Sequence, residues 1–392
     1  MARIDTNEKK IAEILTRGVE EIIEKDHLEK ALRSGKQLRI KLGFDPTSPS
    51  IHIGRAIVLR KLRAFQDLGH KVVFIVGDFT AQVGDPSDKL EKRPMLTKEE
   101  IKKNLKSYKA QVGKIINLSK AEFKFNAKWL SRLGFSEIAE LAESFTVSQM
   151  LSRRNFKERF EKNEEISTRE FMYPLMQGYD SFVVKADVEL GGFDQLFNLT
   201  AGRTIQKHYG MSAQDVLTTQ MLEGTDGRKM SSSWGNVITI TEEPSEMFGK
   251  LMSVKDELVK KYLTLCTNLS LEEIERVSAL HPKEAKTRLA TEVVTIYHGE
   301  AVAKKAAENF KKKFAQKDML VDAEVIKSNE DLDASEIMKH FGVESKSEIR
   351  RLIAQGGIQV NGAKVSNDAE IAFSGEEIVV QKGRVVKRFV RN

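Results

Sequence analysis

Apolar positions change their spacing several times along the chain, and each change marks an element. Over residues 3–36, Ile11, Ile14, Leu15, Val19, Ile22 and Ile23 recur at helical spacing among charged residues. That is the period of one or two amphipathic helices. LRIKLGFDP (38–46) reads as a strand ending at a proline, and SIHIGRAIVLRKLRAFQDLG (50–69) as a helix. Ser50 is its expected N-cap and Gly69 its end, because hydroxyls cap helix starts and glycine closes them. KVVFIVGDF (71–79) is nearly continuous in apolar residues, as strands buried on both faces are. Strand, helix and strand in this order make a βαβ unit and predict a parallel sheet in an α/β fold.

A charged, helical pattern over 97–163 interrupts this alternation and predicts an inserted helical segment. The α/β pattern resumes between about 180 and 240, with SFVVKADVEL (181–190) and VITI (237–240) as strands. From 241 to about 318 the spacing is helical again. The polar stretch KSNEDLD (327–333) is the expected linker, and 334–392 a small α-then-β module.

Composition narrows the class. A length of 392 residues predicts two or three domains. Hydrophobic residues at 40% and charged residues at 31% exclude global disorder and a fibrous repeat. Cys266 is the sole cysteine, which excludes an internal disulfide and a cysteine-cluster zinc site and predicts a reducing compartment. No run approaches the roughly 20 apolar residues that span a bilayer. The start, MARIDTNEKKIAEIL, has neither the apolar region nor the cleavage site of a signal peptide. A cytosolic protein without membrane contact is therefore expected. Lys and Arg exceed Asp and Glu by 64 to 57, a net charge of +7. That excess is too small to choose between a polyanion-binding protein and a slightly basic enzyme. Part of it is local. KGRVVKRFVRN (382–392) carries Lys382, Arg384, Lys387, Arg388 and Arg391 with no acid, alternating with valines and Phe389. This predicts a strand with one basic face, suited to an RNA backbone, against the alternative of a solvated basic tail.

Candidate chemistry concentrates in a few segments. GFDPTSPSIHIGR (43–55) is a loop entering a helix, and helix N-termini attract anions through free N–H groups and the dipole. Thr47 and His52 can donate hydrogen bonds to one phosphate there, and Gly54 lets a ligand approach; an ordinary capped helix is the plain alternative. GDFTAQVGDPSDKLEKR (77–93) follows the second strand with Asp78, Asp85, Lys89, Lys92 and Arg93. Open α/β sheets bind ligands at such strand ends, and this loop would close on phosphates or be a solvated charged loop. In YPLMQGYD (173–180), Tyr173, Gln177 and Asp180 share one helix face, which suits a polar pocket better than a core. GGFDQ (191–195) offers close backbone approach and Asp194 as an acceptor for ribose hydroxyls. DGRKMSSSWGN (226–236) sets Lys229 before three serines, phosphate ligands by charge and by hydroxyl.

Carrying these residues in this order, the chain resembles the class I aminoacyl-tRNA synthetases. HIGR (52–55) is similar to their HIGH motif and KMSSS (229–233) to KMSKS. Within the class it resembles the bacterial tyrosyl-tRNA synthetase family, through GFDPT, GDPS, YxxxQxxD and GGxDQ, over about 38 to 392. The resemblance implies a Rossmann-like parallel-sheet catalytic domain over 1–240, with the insertion at about 97–163 forming a dimer interface. A helical anticodon-recognition domain (241–326) and a small α+β S4-like RNA-binding domain (334–392) would follow, SKSEIRRLIAQGGIQVNGAKV (345–365) being similar to the S4 helix and strand. The implied activity joins L-tyrosine to ATP as tyrosyl-adenylate with release of pyrophosphate, then transfers tyrosine to the 3′ end of tRNA(Tyr). Mg²⁺ would come with ATP; no zinc, flavin or nicotinamide is implied. A cytoplasmic homodimer is the implied assembly.

The resemblance also implies residue roles. Asp85 and Thr80 would ligate the α-ammonium, with Tyr173 and Gln177 beside them. Asp180 would accept the phenol O–H and Gln195 would orient the carboxylate. Lys41, Gly43 and Asp45 complete the tyrosine set. Gly192 and Asp194 would hold the ATP ribose, and backbone at Met221 and Leu222 the adenine. Thr47 and His52 would take the γ-phosphate, near Gly54. Lys229, Met230, Ser231, Ser232 and Ser233 would lie on the pyrophosphate side, where Lys89 and Arg93 would close. Because the substrate carboxylate is ionised at neutral pH, the first step needs no general base. It needs in-line positioning and charge stabilisation.

Three positions depart from the family pattern. Arg55 replaces the second His of HIGH, and Ser232 the second Lys of KMSKS, so Arg55 would compensate for a lost cation. Lys41 stands where many members carry a tyrosine that touches the substrate phenol. Rival readings remain at this stage: a tryptophanyl relative, a small-substrate nucleotidyltransferase, or a non-catalytic RNA-binding paralogue. Amino-acid-dependent ATP–pyrophosphate exchange separates them.

Overall fold

In the computed structural model, residues 3–87, 95–315, 324–383 and 385–391 are described. They fall into two compact units, Met1–Ala307 and Glu308–Asn392. The first is built on six strands: β1 (Val19–Ile23), β2 (Arg39–Phe44), β3 (Lys71–Val76), β4 (Ala121–Phe125), β5 (Val188–Gly192) and β6 (Asp215–Thr219). Their order across the sheet is β1-β6-β5-β2-β3-β4. β2 to β6 run parallel and β1 lies antiparallel on the β6 edge.

The central strands are apolar because helices cover both faces of the sheet. Val72 to Val76 of β3 and Ile40 and Leu42 of β2 are all buried. From β2 the chain first builds outward through β3 and β4, then returns to β2's other side with β5 and β6. Such a reversal opens a crevice at the carboxyl ends of the strands. Three helices border that end: Ile53–Asp67, Thr168–Val184 and Leu196–His208. The Thr168 helix starts in a capping box, with Ser167 bonding the backbone of its first turn and Glu170 reaching back to the cap.

Several expectations are corrected. The 3–36 segment contains a strand, β1, between its two helices, because β1 closes the sheet edge on β6. His52, not Ser50, caps the Ile53 helix: its Nδ1 accepts from the Arg55 amide at 3.3 Å. The 97–163 segment is mostly helical but supplies β4 to the main sheet. Residues 181–184 end the Thr168 helix rather than begin a strand, and β5 starts at Val188. An apolar run of that length does not separate a buried helix from a buried strand. VITI forms only a bridge, His52 to Thr239, flanked by backbone bonds Ile53 N to Ile238 O at 2.8 Å and Ile240 N to Ile51 O at 2.9 Å. Helices fill 241–315 as the spacing predicts: Pro244–Met252, Val259–Cys266, Leu271–Ser278, Pro282–His298 and Glu300–Ala315. Cys266 is buried among them, and burial pushes its thiol up to about 12, so it is a packing residue and not a nucleophile.

The second unit carries a sheet of β7 (Glu324–Ser328), β8 (Ile358–Val360), β9 (Ala363–Lys364), β10 (Glu377–Lys382) and β11 (Val385–Arg391), ordered β7-β11-β10-β8-β9. Helices Ala334–Lys339 and Lys346–Ala354 pack Ile337, Met338, Ile349 and Ile353 against Val380 and Phe389. The predicted linker 327–333 begins inside β7, which pairs parallel to β11. The expected basic face of β11 is largely neutralised. Lys387 pairs with Glu324 at 2.6 Å, Arg388 with Glu377 at 2.6 Å, and Arg391 with Asp331. Lys382 donates to the Phe341 carbonyl at 2.6 Å. Arg384 lies outside the described residues. β11 is also an interior strand, so its residues cannot be removed without removing the sheet. Among the described residues, no helix is long and apolar enough to cross a membrane.

Candidate active site

A cleft of about 310 Å³ opens at the carboxyl ends of β2, β5 and β6, within the size range of small-molecule sites. Strand alternation sends Lys41, Gly43 and Asp45 to one side. Gly43 and Asp45 reach the cleft wall, with Tyr173 and Gln177 from the Thr168 helix beside them. Asp45 is held from both sides: Oδ1 accepts from the Thr80 hydroxyl at 2.7 Å and Oδ2 from the Tyr173 hydroxyl at 2.8 Å. Gly77 makes this possible, since a Cβ there would stand 1.9 Å from Asp45 Oδ1. Thr80 itself is buried behind the wall.

Asp85 and Gln195 also line the cleft. Gln195 Nε2 donates to Asp85 Oδ2 at 2.7 Å, and the Ser87 hydroxyl to Oδ1 at 2.7 Å. Asn198 Nδ2 joins them at 3.2 Å, and Arg153 clamps Ser87 and Asn198 at 2.9 and 3.2 Å. Two carboxylates and two amides thus stand in fixed orientation around a space suited to an ammonium and a carboxylate.

Asp180 lies deeper and off the described wall. Its oxygens accept from Trp129 Nε1 at 2.7 Å and Asn126 Nδ2 at 3.2 Å. Burial raises its carboxyl to about 7 against the pull of Lys41, Trp129 and Asn126. Lys41 is placed elsewhere than expected. It is fully buried under the Thr168 helix in an ion pair with Glu189 at 2.8 Å, away from the cleft wall. A lone buried ammonium is too costly to leave unpaired, and the register of β2 on β5 sets Glu189 directly opposite.

Across the cleft the lining changes to cations and hydroxyls: Thr47, His52, Arg55, Lys229, Ser231 and Ser232. Desolvation and the Arg55 and Lys229 charges press the His52 imidazole down to about 3, so it is neutral. Its Nδ1 is occupied by the Arg55 amide, which leaves Nε2–H as the donor. Gly54 adjoins it on the wall. Arg55 donates to Thr47 Oγ1 at 3.0 Å, to the Asp45 carbonyl at 3.3 Å and to the Tyr108 hydroxyl at 3.4 Å. Lys229 pairs with Asp194 at 2.9 Å, both partly exposed. Asn236 braces the loop, accepting from Ser231 N at 2.9 Å and donating to Lys229 O at 3.0 Å. Gly192, Met221, Leu222 and Met230 complete the wall. Ser233 belongs to the short turn Ser232–Trp234. Lys89 and Arg93 lie outside the described residues.

Among the described residues, the structure gathers most of the sequence candidates into one cleft; Lys41, Thr80 and Asp180 stand behind its wall, and Ser233 is not among its lining residues. Sequence reading missed Asn126, Trp129, Arg153, Glu189 and Asn198. Asn198 follows Gln195 by one helical turn, a signal that was legible. The others come from distant segments and carry no local mark.

Comparisons with known proteins show the family. A family described as tRNA synthetases class I (W and Y) matches residues 33–315, and the S4 domain family matches 337–378. A tyrosine–tRNA ligase of Thermotoga maritima is 45% identical over 96% of this chain and 95% of its own. One from Aquifex aeolicus is 45% identical over 96% and 97%. Among solved structures, the tyrosyl-tRNA synthetase of Archaeoglobus fulgidus complexed with L-tyrosine aligns with a TM-score of 0.61 at 22% identity, covering 76% of this chain and 99% of that one. The truncated mitochondrial enzyme of Aspergillus nidulans aligns at 0.65 and 24%, covering 79% and 95%. The two structures carry the likeness of fold.

Proposed function

Since the chain belongs to the class I tRNA synthetases of the tryptophan and tyrosine group, we propose that its cleft divides the work of a tyrosine–tRNA ligase between two facing walls. The enzyme activates L-tyrosine with ATP and passes it to tRNA. The observation that carries the assignment of residues is the change of chemistry across the cleft, from fixed carboxylates and amides to cations and hydroxyls.

On the first wall, Asp85, Tyr173 and Gln177 take the α-ammonium, with Asp45 and Thr80 holding Tyr173 in place. Gln195 orients the carboxylate. Asp180, backed by Trp129 and Asn126, accepts the phenol O–H. On the second wall, Thr47 and His52 Nε2–H bind the γ-phosphate, and Lys229, Ser231 and Ser232 neutralise the leaving pyrophosphate. Asp194 and Gly192 take the ribose, with Met221 and Leu222 beside the adenine. The tyrosine carboxylate attacks the α-phosphorus, the bond to pyrophosphate breaks, and no proton needs to be removed. The donor set of the second wall suits phosphate oxygens, and Asp194 is already engaged by Lys229. These residues would hold the phosphates of ATP carried with Mg²⁺, and the metal would supply further charge shielding there.

A homodimer through the insertion is part of the same reading. Phe135 is 88% exposed and Val147 64% exposed there, unusual for large apolar side chains on one segment. The helices of 241–315 read the anticodon, and the S4 unit contacts RNA through Lys346, Arg350 and Arg351 on one exposed helix. The protein works in the cytoplasm, where its tRNA is. Tyrosine-dependent ATP–pyrophosphate exchange tests the reading. Exchange with tryptophan instead, or none with any amino acid while tRNA still binds, overturns it.

A further inference from the structure

Beneath the cleft floor lies a charged pair that the proposed chemistry does not use. Lys41 and Glu189 are both 0% exposed and opposite one another on β2 and β5. Every donor of the Lys41 ammonium is committed: to Glu189 Oε1 at 2.8 Å, to Ser181 Oγ at 2.7 Å and to the Gln177 carbonyl at 2.8 Å. Glu189 is equally saturated. Oε2 accepts from Ser181 Oγ at 2.9 Å and from Gln214 Nε2, and Oε1 also accepts from Gln177 Nε2 at 3.1 Å. The site is built tightly around this group, since a Cβ on Gly202 would stand 2.4 Å from Gln214 Nε2 and 3.1 Å from Glu189 Oε2.

The bond to Gln177 carries the consequence. A side-chain amide presents a donor at one end and an acceptor at the other. Glu189, paired with an ammonium, is a carboxylate and can only accept. It therefore fixes the NH₂ end of Gln177 toward the floor and leaves the oxygen for the cleft, where Gln177 lines the wall. Lys41 adds a second hold by gripping the backbone carbonyl of the same residue. We propose that the Lys41–Glu189 pair is a positioning device that locks Gln177 with its acceptor toward the substrate and so selects a cationic amino group. The inference rests on the reading that Gln177 meets the α-ammonium. Lys41 thereby acts through another residue rather than on the phenol.

The test replaces both charges together, as Lys41→Met/Glu189→Leu, because an apolar pair of similar volume leaves no stranded buried charge. Equilibrium binding of L-tyrosine is compared with that of 3-(4-hydroxyphenyl)propanoate, which lacks only the amino group. Thermal melting confirms that the variant is folded. Affinity for tyrosine should fall roughly ten- to hundredfold, the worth of a hydrogen bond to a charged group, with affinity for the deamino acid and KM for ATP unchanged. Equal loss for both ligands, or no loss for tyrosine, overturns the proposal. Gln177→Ala separates it from the underlying reading. If Gln177→Ala discriminates against tyrosine but the pair variant does not, only the positioning role fails. If Gln177→Ala leaves the ratio of the two ligands unchanged, the ammonium reading fails and the positioning role with it.

Discussion

The two walls of the cleft are held together in different ways. On the amino-acid wall, the carboxylates are fixed by donors on helices and turns. Asp45 sits between Thr80 and Tyr173, Asp85 is bonded by Gln195 and Ser87, and Asp180 by Trp129 and Asn126. On the phosphate wall, Lys229 and Asp194 pair at 2.9 Å from partly exposed positions, and the loop bearing Lys229 is braced by Asn236 and by backbone bonds to Leu222 and Gly224. Buried, saturated polar networks specify one geometry. A solvent-facing ion pair contributes about 0–1 kcal/mol and exchanges partners readily. In the proposed assignment the amino-acid wall is set before substrate arrives, and phosphate would replace Asp194 as the partner of Lys229. That assignment gives selectivity to the first wall and rate to the second.

The largest expected effect breaks the first wall at its deepest point. Asp180→Ala should collapse the preference for tyrosine over phenylalanine. A site that must bond a hydroxyl rejects the analogue lacking it by about 10⁴–10⁵, values already known for tyrosine enzymes of this kind. Asp180→Asn keeps an acceptor and should lose less. The ratio of kcat/KM for the two amino acids in pyrophosphate exchange measures this; an unchanged ratio in Asp180→Ala would remove Asp180 from the phenol site.

Next in size is the second wall. Lys229→Ala should lower kcat for exchange by about 10²–10³, as loss of one group that stabilises developing charge does. KM for tyrosine should stay within about twofold, since that change removes no ground-state contact to the amino acid. Arg55→His should lose less, about tenfold, if Arg55 supplies part of the charge missing at Ser232. A rate equal to that of the unaltered enzyme contradicts compensation by Arg55. A rise in the KM for tyrosine in Lys229→Ala would mean that the two walls are not separable.

How far the sequence anticipated this difference follows from what each wall is made of. The phosphate wall lies in short contiguous segments, HIGR and KMSSS, legible through their joint presence and order rather than through either one alone. The α/β order was equally legible, because β3 and the Ile53 helix have strong periods. The supports of the amino-acid wall were not. Asn126 and Trp129 come from the inserted segment, and Glu189 from a strand that the apolar run 181–190 blurred into the preceding helix. Resemblance places Lys41 at the pocket, because it stands where many family members carry a tyrosine, whereas strand register turns it toward Glu189. The basic tail misled for a different reason. Its charges are local in sequence, but their partners Glu324, Asp331 and Glu377 are brought by other segments.

The smallest effect sharpens the comparison through pH. Burial raises Asp180 to about 7 and presses His52 down to about 3. Between the ordinary carboxylate range and pH 7, folded chains keep a proton on Asp180 that unfolded chains have released. Stability contributed by this group therefore falls as pH rises through that window. Tyrosine binding opposes the trend, because its phenol O–H supplies a donor to the ionised carboxylate. KM for tyrosine should accordingly fall by a few fold from pH 6 to pH 8, and the rise in melting temperature caused by tyrosine should grow over the same interval. Phenylalanine has no hydroxyl and its KM should not follow this curve. KM for ATP should stay flat, since His52 is neutral throughout and donates from Nε2 without titrating. Initial-rate exchange at each pH reads both constants in one experiment. A step in the ATP curve near the ordinary histidine range would show that His52 is charged when it meets phosphate, and the phosphate wall would then depend on protonation as well as on Lys229.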